Sequence, residues 1–168
     1  SSPDPNITIR YTTDGTEPNA SSLMYSVPIN IANTTVLRAR CFSSTPNVPA
    51  SFTETNTYFI NSTHTIPVIS ICGDDISGLI NDTHPNAFSD AFPGAIEYFD
   101  ENGVMQTEGE GNYDKHGNDS WAYPQRGLDF VMKDQYGYNY ALKHQLFANK
   151  SRDKFQKIIL KAGASDNY

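Results

Sequence analysis

The densest collection of residues able to do chemistry lies between Tyr113 and Phe130. Gly117, Asn118, Asp119 and Ser120 are turn formers, Trp121 is the sole tryptophan, and Pro124 stiffens the chain while removing a backbone donor. Arg126 then opens a run, Leu128, Phe130 and Met132, that alternates like a half-buried strand. A turn feeding a strand that carries a cation can present polar groups to an anionic ligand. The competing reading is an ordinary turn before a strand, with Trp121 and Tyr123 packed as local core. His116 opens this turn, and as a turn residue hydrogen-bonded to backbone it needs no chemical role.

Elsewhere the sequence offers acids and cations without a catalytic spacing. There is no Gly-x-Ser-x-Gly elbow, no Walker loop and no His-Glu-x-x-His, and His64, His84, His116 and His144 lack metal-ligand spacing. No metal site is predicted. Asp74 and Asp75 follow an apolar run, where paired acids can hold Mg²⁺, but the cap and first turn of a short helix over Ile76 to Ile80 account for them better. Asp100, Glu101 and Asn102 fail the calcium-loop spacing, since Gly103 comes two positions early and Gly111 stands where the closing Glu belongs. Asp14 reads as a turn residue, and Asp129 and Asp134 as surface or turn acids. Tyr113, Trp121, Tyr123, Tyr136, Tyr138 and Tyr140 are either a sugar-stacking platform or core and rim.

A chain of 168 residues, 38% hydrophobic, makes one ordinary domain or two small ones. Its net charge of −7 argues against a general nucleic-acid or anionic-membrane binder, which needs clustered Lys and Arg, while local basic sites remain open. No apolar run approaches the roughly 20 residues of a membrane span, and the first residues have no signal-peptide pattern. Cys41 and Cys72 each lie in an apolar strand-like run and read as buried free thiols; a disulfide would need their Cα atoms within about 7 Å.

The elements that must position these residues are mostly strands. Ile7 to Tyr11 alternates and runs into a tight Asp14-Gly15 turn closed by Pro18; Tyr25 to Ile31, with Pro28, reads as an edge strand. Thr34 to Phe42 and Phe52 to Ile60 complete a set of short strands with turn chemistry between them, the pattern of a β-sandwich. The polar stretch Asn61 to Thr65 marks the boundary, giving domains 1–62 and 63–168. Ile66 to Cys72 is an apolar strand. Ala95 to Asp100 pairs with Val104 to Gln106 across Asn102-Gly103 in a predicted type I′ hairpin, followed by a flexible acidic link, Glu108 to Gly111. Leu128 to Lys133 is a strand, Asp134 to Gly137 a turn, Tyr138 to Phe147 a strand or a helix, and Phe155 to Lys161 a final strand.

Two family resemblances attach to these residues. Ile9 to Pro18, then Ser22, Tyr25, Pro28-Ile29 and Thr35 to Arg40, resemble the chitobiase/β-hexosaminidase C-terminal type domain over residues 7 to 60. That resemblance implies an immunoglobulin-like β-sandwich acting as an accessory to enzymes and surface proteins, here expected to be cut short at its N-terminus. Gly117, Ser120, Pro124 and Arg126 resemble the segment of the spore-coat protein H (CotH) kinase family that precedes a strand, and Leu146-Phe147, Ile158 to Leu160 and Asp166 continue that order. Gln125 departs from the family, replacing a basic residue.

The second resemblance implies a mainly β or α+β chain: the sandwich, then the strand-rich N-terminal part of an atypical kinase-like domain. Phosphoryl transfer needs a cation on the phosphates, ligands for Mg²⁺ and an Asp for the accepting hydroxyl. Only the first has candidates, giving a nucleotide-binding set of Arg126, Lys133, Lys143, Gly117 and Ser120, with solvated charges as the alternative for both lysines. The family's catalytic and metal-binding acids lie beyond Tyr168, so the chain is expected to be cut short there too, with ATP and Mg²⁺ or Mn²⁺ used only by the complete domain. The resemblance places it in a secreted or cell-surface protein, bacterial by its Gln-Arg-Gly form, that meets a protein substrate or surface glycan. The alternative is a noncatalytic surface module binding carbohydrate or protein.

Overall fold

The computed structural model describes residues 4–81, 91–117 and 126–161. Ser120, Trp121, Tyr123, Gln125 and Asp166 lie outside the described residues. The fold is mainly β, as the strand pattern implies, with several antiparallel sheets and one helix of six residues among the described residues. The chain divides into two compact units, residues 1–72 with 97–106 and residues 73–96 with 107–168.

In the first unit, β1 (Ile7–Thr12), β2 (Leu23–Met24), β3 (Thr35–Ser43) and β4 (Glu54–Tyr58) form an antiparallel sheet in the order β2-β1-β3-β4. The long strand β3 is central, pairing Arg38 with Thr12 on one side and Thr55 on the other. Three of the four expected strands are present. The edge strand expected over Tyr25 to Ile31 is not: pairing stops at Leu23–Met24, Tyr25 N still donates to Ile9 O (2.9 Å), and the chain then leaves the ladder. Pro28, which has no N–H to give, lies in the segment that leaves. Cys41 is half-buried, Cys72 buried, and both are free thiols.

The second sheet has the order β11-β8-β7-β6-β5, from β5 (Val68–Gly73), β6 (Phe92–Phe99), β7 (Met105–His116), β8 (Gly127–Met132) and β11 (Lys157–Leu160). A two-stranded ribbon, β9 (Leu142–Lys143) with β10 (Lys154–Phe155), forms a separate ladder. Helix α1 (Ile76–Asn81) follows β5, and Asp75 O accepts from Leu79 N at 2.9 Å. That bond places Asp75 at the helix cap.

The hairpin at residues 100–104 forms where expected but with a different turn. Gly103 has φ +75° while Asn102 does not enter the left-handed region, so both central residues of a type I′ turn are not available. Asp100 O accepts from Gly103 N and Asp100 N donates to Val104 O, each at 3.0 Å, which is a type I turn closed by a left-handed glycine. The Asp100 carboxylate decides this choice by accepting from the backbone N–H of Asn102 and of Val104, both at 2.9 Å, and from Gln106 Nε2 at 2.8 Å. An acid with three internal donors has a structural role in the turn.

Glu108 to Gly111 is not a flexible link. These residues are the middle of the twelve-residue β7, whose burial alternates through Thr107, Gly109, Gly111 and Tyr113. The glycines are there for packing: a Cβ on Gly111 would lie 2.2 Å from Val131 O, and one on Gly109 would lie 1.8 Å from Met132 Cε. Opposite them Leu128, Phe130 and Met132 of β8 are buried, with the Phe130 ring 4.5 Å from that of Tyr113, whose hydroxyl donates to Ala95 O at 2.6 Å. Of Tyr138 to Phe147, only Leu142–Lys143 is a strand, and the final strand is split at Gln156 into β10 and β11.

Candidate functional site

Two polar constellations stand out, one in each unit. In the first, the turn between β1 and β2 delivers Glu17 beneath β3. Asp14 shapes that turn: its Oδ1 accepts from Thr16 Oγ1 (2.6 Å) and Thr16 N (3.1 Å), and these two bonds hold its carboxyl below the usual carboxylate range. Glu17 then meets Arg38 Nη2 at 2.9 Å, Arg40 Nη1 at 3.2 Å and the Thr53 hydroxyl at 2.5 Å. Arg38 is 2% exposed and also donates through Nε to Thr55 Oγ1 at 3.2 Å. Arg40 Nε donates to Ser51 O at 2.6 Å.

A guanidinium this deeply buried must be paired, because an uncompensated charge in the interior is far more costly than a missing contact. Losing Glu17 would cost toward the low end of roughly 3–5 kcal/mol, since Glu17 itself is one-third exposed and partly screened. The constellation clamps the turn onto β3 and β4.

A buried acid of the same unit escaped the sequence analysis. Glu97, 3% exposed, accepts from Thr57 N at 3.0 Å and from Thr57 Oγ1 at 2.6 Å, and that hydroxyl lies 2.7 Å from Ser70 Oγ. Ala95, Ile96 and Phe99 around it are buried as well, so the signal in the sequence was an acid inside an otherwise apolar run.

The second constellation lies on the face of the β7-β8-β11 sheet opposite the Phe130 row. His116 pairs with Gly127 in register, and Asp129 lies two residues along β8 on the same face. The Asp129 Oδ1 is 2.8 Å from His116 Nδ1, and its Oδ2 is 2.7 Å from Lys157 Nζ. Asp129 is thus a half-buried acid between an imidazole and an ammonium group, not the surface acid expected, and His116 bonds its carboxylate. A His–Asp pair can orient an imidazole for proton transfer. Here the second oxygen holds Lys157, which favours a cross-strand clamp joining three strands.

The described members of the nucleotide-binding set lie at the ends of β7 and β8 and in β9. Gly117 leaves β7 at φ +81°, and Arg126, half-buried, immediately precedes β8, so the two flank the His116–Gly127 end of the hairpin. Lys133 follows Met132, and its Nζ lies 3.2 Å from the Asn112 amide oxygen in the orientation that satisfies both groups. Asn112 is on the His116 face of β7. The backbone of Lys143 instead donates to Thr107 Oγ1 at 3.0 Å, on the opposite, buried row of the same strand. Ser120 lies outside the described residues. Among the described residues no three His, Cys, Asp or Glu side chains come together to hold a metal, and no helix is long and apolar enough to cross a membrane.

The clamp around Glu17 assigns a structural purpose to Asp14, Glu17, Arg38 and Arg40, four residues of the pattern read in the first sixty positions. Residues 1–54 match the family model of the chitobiase/beta-hexosaminidase C-terminal domain. The first unit is similar to that domain. No curated protein and no solved structure matches the chain. The matched stretch contains β1, β2 and β3 together with both arginines of the clamp.

Proposed function

We propose that this chain is a noncatalytic accessory portion of an extracellular or cell-surface protein, binding surface glycan through its strand-rich part, residues 63–168, beside a chitobiase-type β-sandwich, residues 1–62. One observation carries the reading. The charged residues of the family pattern, Arg10, Asp14, Glu17, Arg38 and Arg40, are engaged among themselves or with neighbouring hydroxyl and backbone groups, so the first unit acts as a scaffold. In the second unit the Asp129 carboxylate is held by His116 and Lys157, which leaves it badly placed to take a proton from a substrate. Lys133 follows β8 of the five-stranded sheet, whereas Lys143 belongs to the separate β9–β10 ladder.

A second reading is that residues 63–168 belong to a CotH-type atypical kinase, with ATP and Mg²⁺ or Mn²⁺ used by the complete domain on a protein substrate. The observation favouring it is the β7–β8 hairpin, whose connecting residues begin at Gly117 with positive φ and end at Arg126. A glycine with positive φ lets backbone approach phosphates closely. Thermal unfolding of the full chain with and without ATP–Mg²⁺ or ATP–Mn²⁺ separates the two, because a ligand of the folded state raises Tm by mass action. No shift, together with retention on insoluble polysaccharide, is expected. A Tm rise that disappears in Arg126→Ala would overturn the accessory reading.

A further inference from the structure

We propose that the β9–β10 ribbon is a binding site for an anionic polysaccharide, with Lys143 and Lys154 gripping its acidic groups and Tyr140 and Tyr138 stacking on its sugar rings; the inference rests on the glycan-binding reading above and names its ligand class. The ribbon has two cross-strand pairs. Leu142 opposite Phe155 is buried, and on the other face Lys143 stands directly opposite Lys154, both exposed. Directly opposed like charges destabilise a β-ribbon. Neither lysine forms an ion pair with a carboxylate among the described residues. An anion placed between them would convert repulsion into two charge-assisted hydrogen bonds.

The surroundings extend the same chemistry. Lys150 and Arg152 lie in the loop between the two strands, where Asp153 is the single acid, and the Arg152 guanidinium sits 5.3 Å from the Phe155 ring centroid. Over residues 126–161 eight Lys and Arg face three acids, a balance of +5 inside a chain whose net charge is −7. This stretch of sequence is therefore the basic part of an acidic chain, and its four exposed cations in and between the ribbon strands, Lys143, Lys150, Arg152 and Lys154, favour an anionic partner. Beside the lysines the Tyr140 ring lies 5.9 Å from Lys143 Nζ, and Tyr138, Tyr140 and Phe147 are 79%, 54% and 55% exposed.

Exposed flat rings carrying a hydroxyl suit the apolar face and hydroxyl rim of a sugar, and point-like ammonium groups suit carboxylates or sulfates spaced along a polymer. Because each cation is solvent-exposed, a single anion gains little and a repeating polyanion gains through several contacts at once.

The test is binding of a fluorescent oligogalacturonate to the full chain, with neutral chitohexaose and poly-glutamate as comparisons. Oligogalacturonate is expected to bind at low ionic strength and to weaken as salt is raised. Lys154→Glu is expected to lower its affinity at least about tenfold while raising Tm, because the new carboxylate faces Lys143. The gain in Tm shows that loss of binding is not loss of fold. Tyr140→Ala is expected to weaken oligogalacturonate several-fold and leave poly-glutamate unchanged. Unaltered oligogalacturonate affinity in Lys154→Glu overturns the proposal, as does poly-glutamate binding equally well, which would make the ribbon an acidic-peptide or self-association surface. Chitohexaose binding without oligogalacturonate binding overturns the polyanion assignment alone, whereas an ATP-dependent Tm rise lost in Arg126→Ala overturns the accessory reading beneath it.

Discussion

Asp14, a turn residue by sequence, fastens its turn through its carboxylate. It accepts two hydrogen bonds from Thr16, and both favour its ionised form. Its folded-state pKa therefore lies below the unfolded-state value of about 3.9. A depressed acid stabilises the fold fully above the unfolded-state pKa, and the contribution is lost as pH falls through the folded-state pKa. Asp14 is largely exposed, so the effect is small. Thermal melts of wild type and Asp14→Asn should differ most near neutral pH, with wild type the more stable, and the gap should close on acidification. A gap that widens below the carboxylate range would mean that Thr16 does not bond the ionised form.

At the scale of elements, β7 carries the sharpest lesson. Its Glu-Gly-Glu-Gly sequence has the composition of a flexible link, because propensity counts glycine as a strand breaker. The structure makes both glycines strand residues, since a Cβ at Gly111 would meet the β8 backbone 2.2 Å from Val131 O. Backbone cannot rotate away as a side-chain tip can, so Gly111→Ala should destabilise the protein by roughly 1–3 kcal/mol, read as a lower urea midpoint with unchanged m. Gly109→Ala presses on the end of the flexible Met132 side chain and should cost less. Equal costs would place the strain elsewhere. The hairpin at residues 100–104 follows the same logic, since Asn-Gly predicted a turn correctly while the Asp100 side chain selected which one.

On the scale of the whole molecule, protection should be uneven and should follow burial. Tyr113 and Phe130 are fully buried and their strands are flanked on both sides within the five-stranded sheet, whereas β2 is two exposed residues at a sheet edge. Opening free energies rise toward such central strands. Amide exchange should therefore be slowest in the middle of β7 and in β8, and fastest in β2 and in the β9–β10 ribbon. Uniform exchange would mean that the units open as one and that the sheet centre holds no privileged stability.

What the sequence determined by itself was the local chemistry. Alternating β-branched and apolar residues specified β1, β3, β4 and β8, and the pattern from Ile9 to Arg40 pointed to the domain type whose family model matches residues 1–54. Such signals are short in range, set by backbone sterics and by side chains within a few positions. Tertiary structure decided whatever depended on partners far along the chain. Residues 97–106 join the same compact unit as residues 1–72, Glu97 finds Thr57, and Asp129 finds both His116 and Lys157. It also set Lys143 against Lys154 across eleven positions of chain. No periodicity encodes those meetings, because they are fixed by strand register and by the burial of opposite faces rather than by neighbours in sequence.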